Sequence, residues 1–161
     1  MMNRNAYNSK GIRIHDAEDN VVTVHLPDIL CEIEGPTNYH WSIMFMEIFR
    51  YYGAEECVGN LENEAKNSPC GLFITWDRLN RLAQDAVQFE DLILIGCQNK
   101  NEIMRREKAV DQYENSDIYI EMFDCSYWEV FSKEHAFIDR LSKKFKDVEL
   151  LSPDFNEEKG A

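Results

Sequence analysis

An α+β fold is what the sequence predicts: a mostly antiparallel sheet with two or three helices packed against it. Three observations carry this. Period-two hydrophobic alternation recurs at both ends of the chain, two segments switch to helical spacing, and the connectors between them are short and rich in turn residues. The 161 residues, 44% hydrophobic and 12% aromatic, suit one globular domain spanning 1–161, with flexible ends expected at 1–10 and 153–161.

The elements follow in order. Ile12 and Ile14 alternate with Arg13 and His15, Val22, Val24 and Leu26 with Thr23 and His25, and Ile29, Cys31 and Ile33 with Leu30, Glu32 and Glu34. With turn residues at Asp16–Asn20, Pro27-Asp28 and Gly35-Pro36, this predicts a strand meander over 11–34. Residues 39–52 fit two periods: Trp41, Phe45, Ile48 and Tyr52 are helically spaced, while Ile43 to Met46 would fill both faces of a strand. Aromatic enrichment and the preceding Gly-Pro turn favour a central strand. Residues 53–70 carry few apolar anchors and predict an exposed loop with a short helix. Thr75 can cap a helix over 76–88, striped by Trp76, Leu79, Leu82, Ala83, Ala86 and Val87. Leu92–Gly96 is a short buried strand, 101–113 a weaker helix, and Ile118–Phe123 another strand. If Tyr127-Trp128 lies in a strand, one of its two rings should be partly exposed. Ser132 is placed to cap a helix to about 146, with Phe137, Ile138, Leu141 and Phe145 inward, and Val148–Leu151 reads as a last strand.

Charge is the most informative feature. Thirty acidic residues against 17 basic give a net charge of −13, and the excess is not spread evenly. Between Arg13 and Arg50 lie seven acidic residues and no Lys or Arg; between Lys108 and Lys133 lie six and none. These two blocks account for the whole net charge. Such a body repels phosphates, which argues against nucleic acid as a ligand and for a basic partner. On a strand, Asp117, Tyr119, Glu121 and Phe123 share one face. Carboxylates interleaved with rings suit a cationic surface: the charges steer encounter and the rings supply desolvated anchor area. A solvated face that only keeps the protein soluble is the plainer account, but like-charge repulsion costs stability and favours a functional reason. The expected contacts are Asp117, Tyr119, Glu121 and Asp124, with Glu32 and Glu34 second. A basic cluster, Lys100, Arg105, Arg106 and Lys108, is read as balancing the neighbouring acids.

Catalytic motifs do not stand out. GxGxxG, GxxxxGK[ST] and GxSxG do not occur, and His15, His25, His40 and His135 have no ligand-type spacing. No metal, no cofactor and no enzymatic activity are therefore expected, although a Cys–His pair brought together by folding stays open. Five cysteines without a CxxC pair predict reduced thiols, and with no apolar leader or membrane-length run the expected location is the cytoplasm.

The segment Phe123-Asp124-Cys125-Ser126-Tyr127-Trp128, followed by Ser132, Ile138, Leu141 and Phe145, resembles the immunity proteins of bacterial contact-dependent growth inhibition and other polymorphic toxin systems. The resemblance covers about the last third of the chain. It implies an acidic protein that binds a cationic toxin domain, often a nuclease, and occludes its active site; it assigns no residue roles. The alternatives are an acidic adaptor for another kind of basic protein and a small Cys/His hydrolase.

Overall fold

The computed structural model describes residues 8–53 and 58–152. The expected polar ends fall largely outside these residues, as does Cys57. Seven strands form one sheet in the order β5-β4-β6-β7-β8-β1-β9: β1 is Lys10–Ile14, β4 His40–Tyr51, β5 Leu72–Ile74, β6 Ala86–Cys97, β7 Ile118–Phe123, β8 Tyr127–Ser132 and β9 Val148–Leu151. Every pairing is antiparallel. A separate hairpin pairs β2 (Ala17–Glu18) only with β3 (Val21–Val22). Among the described residues five helices accompany the sheet, more than the two or three expected: α1 Leu26–Leu30, α2 Val58–Asn67, α3 Trp76–Asp85, α4 Ala109–Glu114 and α5 His135–Lys144.

The ambiguous 39–52 segment is the central strand β4, with Trp41, Ile43 and Met46 buried in the main core. The meander expected over 11–34 does not form: β1 lies between β8 and β9, its expected second strand shrinks to Val21–Val22 of the separate hairpin, and the third is instead α1. Pro27 sits in its first turn, and the Asp28 carboxylate accepts the His25 backbone N–H at 2.8 Å. Leu26, Ile29 and Leu30 then fall on one buried helical face, so an alternation that suited a strand is satisfied at helical spacing. Thr75 does cap α3, its hydroxyl accepting from the Arg78 N–H at 3.3 Å. The helix stops at Asp85, not 88; Ala86 and Val87 open β6, where long pairing with β4 replaces helical bonds. Ser132 ends β8 and α5 begins three residues later. Its hydroxyl still serves the turn, accepting from the Glu134 N–H at 3.0 Å and donating to the Asp117 carbonyl.

One face of the sheet packs under α1, α3 and α5. Ile12, Ile43, Leu94, Ile120 and Val130 meet Ile29, Leu82 and Ile138 there, all essentially buried. Each such side chain contributes roughly 1.5–3 kcal/mol of burial. The other face has a smaller aromatic layer under α4, in which Tyr113 stacks on Phe131 at 4.0 Å and Tyr119 meets both edge-on. Gly11 sits opposite Phe131, where a Cβ would overlap the ring.

Candidate functional site

Beyond the aromatic layer, that second face turns polar. Cross-strand partners share a face, and the register lays one row across six strands: Phe45, Ile93, Glu121, Glu129, Arg13 and Glu149. Beside it run Glu47 paired with Asp91 and Phe123 paired with Tyr127. Carboxylate oxygens of Glu47, Glu90 and Asp91 come within 4.8 Å of one another, concentrating negative potential at this edge of the row.

Arg13 organises the row. Its guanidinium forms a buried ion pair with Glu129, with Nε to Oε1 at 3.0 Å, and lies 3.9 Å from Glu149. Burial opposes the Arg13 charge, but the hydrogen bond and field of Glu129 outweigh it and push its pKa up. The Tyr127 ring covers the guanidinium at 4.5 Å and stacks on Phe123, which is 49% exposed. His15 approaches Glu149 at 3.4 Å.

Glu121 lies next to Glu129 and, among the described residues, has no cation of its own. Burial raises its pKa to about 7; the hydroxyl of Tyr119, donating to Oε1 at 2.7 Å, works against this, while the charges of Glu129 and Asp91 add to it. The Tyr119 phenol is itself held well above its ordinary value, by burial first and then by Glu121. A half-buried carboxyl shared between protonated and ionised forms near neutrality is the least satisfied group of the row.

The expected contacts divide. Glu121 is in the row, and Asp124 is exposed beside it in the β7–β8 turn, at φ 47°, with its N–H donated to Asp91 at 2.9 Å. Tyr119 belongs to the aromatic layer, 2% exposed, and reaches the polar region only through its hydroxyl. Asp117 stands at the opposite end of β7, accepting the Gln98 N–H at 2.7 Å. Glu32 and Glu34 follow α1 in the helical layer, on the other side of the sheet. Arg140 and Lys144 of α5 pair with them, at 3.3 Å for Lys144–Glu32 and 3.5 Å for Arg140–Glu34. The two acidic blocks therefore do not merge into one patch. The second supplies Glu121, Asp124 and Glu129, and the first reaches the same face only through Glu47. Arg13, Asp91, Tyr127 and Glu149 went unnoticed as site residues. Their period-two placement, Arg13 between Ile12 and Ile14 and Glu129 between Trp128 and Val130, was the available signal.

Among the described residues, the cysteine and histidine that share a cavity do not form a Cys–His pair. Cys125 and His25 both line one cavity, but burial, then Glu90, Asp124 and Asp91, push the Cys125 thiol up, away from the thiolate a nucleophile needs. The His25 Nδ1 is engaged with the Val87 carbonyl at 2.9 Å. Cys31, Cys70, Cys97 and Cys125 are free thiols, and no helix among the described residues is long and apolar enough to cross a membrane. Comparison with protein-family models, curated proteins and solved structures gave no match.

Proposed function

We propose that the protein neutralises a cationic toxin domain, in the manner of an immunity protein, by docking it on the polar half of the sheet and covering its active site without turnover. One observation carries this reading. Glu47, Asp91, Glu121, Glu129 and Glu149 lie in adjacent rows with Arg13 as the only arginine or lysine in those rows, and Asp124 and Glu90 stand exposed at their edge. Nuclease sites gather Lys, Arg and His to hold phosphates, and a rigid carboxylate array can take the place of that backbone. The exposed Phe123 and the Tyr127 ring beneath it offer the apolar anchor that such interfaces carry at their centre. Glu32 and Glu34, already neutralised by α5, are not part of the proposed surface.

The test pairs the chain with the basic domain of an adjacent reading frame, where one is encoded. Co-expression should rescue growth, and stopped-flow association should approach about 10⁸ M⁻¹s⁻¹ at low salt. The exposed charge reversal Asp124→Lys should slow association at least about tenfold and flatten its salt dependence. An unchanged rate and salt slope in both Asp124→Lys and Glu149→Lys would remove this face from the interface. A basic partner that binds here but has no toxicity would put the adaptor reading in its place.

A further inference from the structure

On the opposite, helix-bearing side of the sheet, a cavity of about 460 Å³ opens beneath the β2–β3 hairpin. The strands of the hairpin pair with each other through Ala17–Val22 and Glu18–Val21 and turn through Asp19 and Asn20 at φ 51° and 64°, and the hairpin is anchored at its base, where the Asp16 carboxylate accepts the Lys146 and Asp147 N–H groups. The chain that follows it is pinned: the Trp128 indole N–H donates to the Val24 carbonyl at 2.8 Å, and the His25 ring bonds the Val87 carbonyl. The hairpin is thus a flap over a fixed floor.

The lining has two parts. The walls are largely apolar, with Val22, Val24, Phe89, Met122 and Trp128, and His25, Gln88 and Cys125 add polar groups among them. The charged groups, Glu18 and Asp19 on the flap and Arg50 at the end of β4, are all exposed and so stand at the mouth. Among the described residues Arg50 pairs with no carboxylate; its guanidinium stands 5.8 Å from the ring of neighbouring Phe49.

The geometry points to a binding site for a small zwitterion with an apolar body, namely an aromatic or branched α-amino acid or a short peptide that begins with one. Its side chain enters the apolar walls, its carboxylate pairs with Arg50, and its ammonium group meets Glu18 and Asp19. A wholly apolar ligand leaves three charged groups at the mouth unused. A simple anion is repelled by the two carboxylates, and a simple cation leaves Arg50 without a counter-charge. The volume is in the range that small-ligand sites occupy, roughly 300–1,000 Å³. This site lies on the other side of the sheet from the proposed docking surface and stands or falls independently of it.

The experiment is calorimetric titration of the full chain with L-phenylalanine, phenylacetate and phenethylamine. L-phenylalanine should bind saturably, and each analogue lacking one pole should bind about tenfold or more weakly, the loss expected for one charge-assisted contact. Arg50→Gln, an exposed substitution, should weaken L-phenylalanine by a similar factor and leave phenethylamine no weaker than before. Val22→Trp, which fills the cavity from the flap, should abolish binding of all three. The proposal is overturned if L-phenylalanine, L-leucine and L-tryptophan all show no saturable binding up to about 10 mM, a level at which any useful site would be filled. It is equally overturned if Arg50→Gln binds L-phenylalanine as tightly as the native chain.

Discussion

The carboxyl of Glu121 makes stability itself depend on pH, in the direction opposite to a salt-bridged acid. Its pKa is raised from 4.5 to about 7 in the folded protein, chiefly by burial. Between those values the folded state holds a proton that the unfolded chain has lost, so stability falls as pH rises. The contribution is fully present below about pH 4.5 and is lost as the pH passes through 7. Integrating between pH 5 and pH 8 gives about 2.5 kcal/mol for this one group. Glu121→Gln removes the titration and keeps an oxygen to accept the Tyr119 hydroxyl. Urea unfolding of both proteins at pH 5, 6, 7 and 8 isolates the effect, because every other titrating group is common to the pair. The variant should gain on the native protein by about 2.5 kcal/mol across the range, with most of the change between pH 5 and 7. A difference that stays flat within about 0.5 kcal/mol would show that Glu121 ionises normally, and the account of the polar row as a strained carboxylate array would be wrong.

Three further outcomes follow from the same face. Glu129→Ala removes the buried partner of the Arg13 guanidinium, leaving Glu149 at 3.9 Å, and should cost up to about 3 kcal/mol in denaturant unfolding, whereas the double replacement Arg13→Met with Glu129→Leu should recover most of that loss. Gly11→Ala drives a methyl into the Phe131 ring, which Tyr113 and Tyr119 hold in place, and should cost about 1–3 kcal/mol with a matching drop in Tm. If a partner's cation seats beside Glu121, the complex must release a proton. Affinity should then rise by up to about tenfold per pH unit between pH 5 and 7, and titration heats at pH 6 should differ between buffers of unlike ionisation enthalpy. Equal heats would place the contact elsewhere.

Local signals were legible wherever one segment decides its own structure. The aromatic run from Trp41 to Phe45, the Thr75 cap and the alternation at Ile118–Phe123 each declare an element without reference to distant residues. The misreadings arose where two local patterns compete. Ile29, Cys31 and Ile33 alternate, yet Leu26, Ile29 and Leu30 also make a helical face, and Pro27 with Asp28 tips the balance towards α1. Ala86 and Val87 continue the α3 stripe, but the long pairing of β6 with β4 claims them. The site was legible only in part, because its key contacts are remote in sequence. Arg13 meets Glu129 across 116 residues, and Arg140 reaches Glu32 across 108, at its backbone carbonyl and, at 4.0 Å, its carboxylate. No local pattern says which carboxylate receives a cation and which is left without one.

That distinction separates the useful negative charge from the rest. Glu32 and Glu34 are exposed or half-buried acids with basic partners already in place, and a docking protein would have to displace Arg140 and Lys144 to use them. Glu121 is the reverse case: it is held beside Glu129 and Asp91, partly out of water, with a single phenol as donor. A glutamine there would keep that hydrogen bond and avoid the repulsion, so the carboxylate is a cost to the isolated fold. An incoming guanidinium or ammonium would remove that cost by supplying the missing counter-charge. On the proposed reading, the energy lost in keeping Glu121 poised would be returned on binding, which would couple the stability of the sheet to occupation of its polar face.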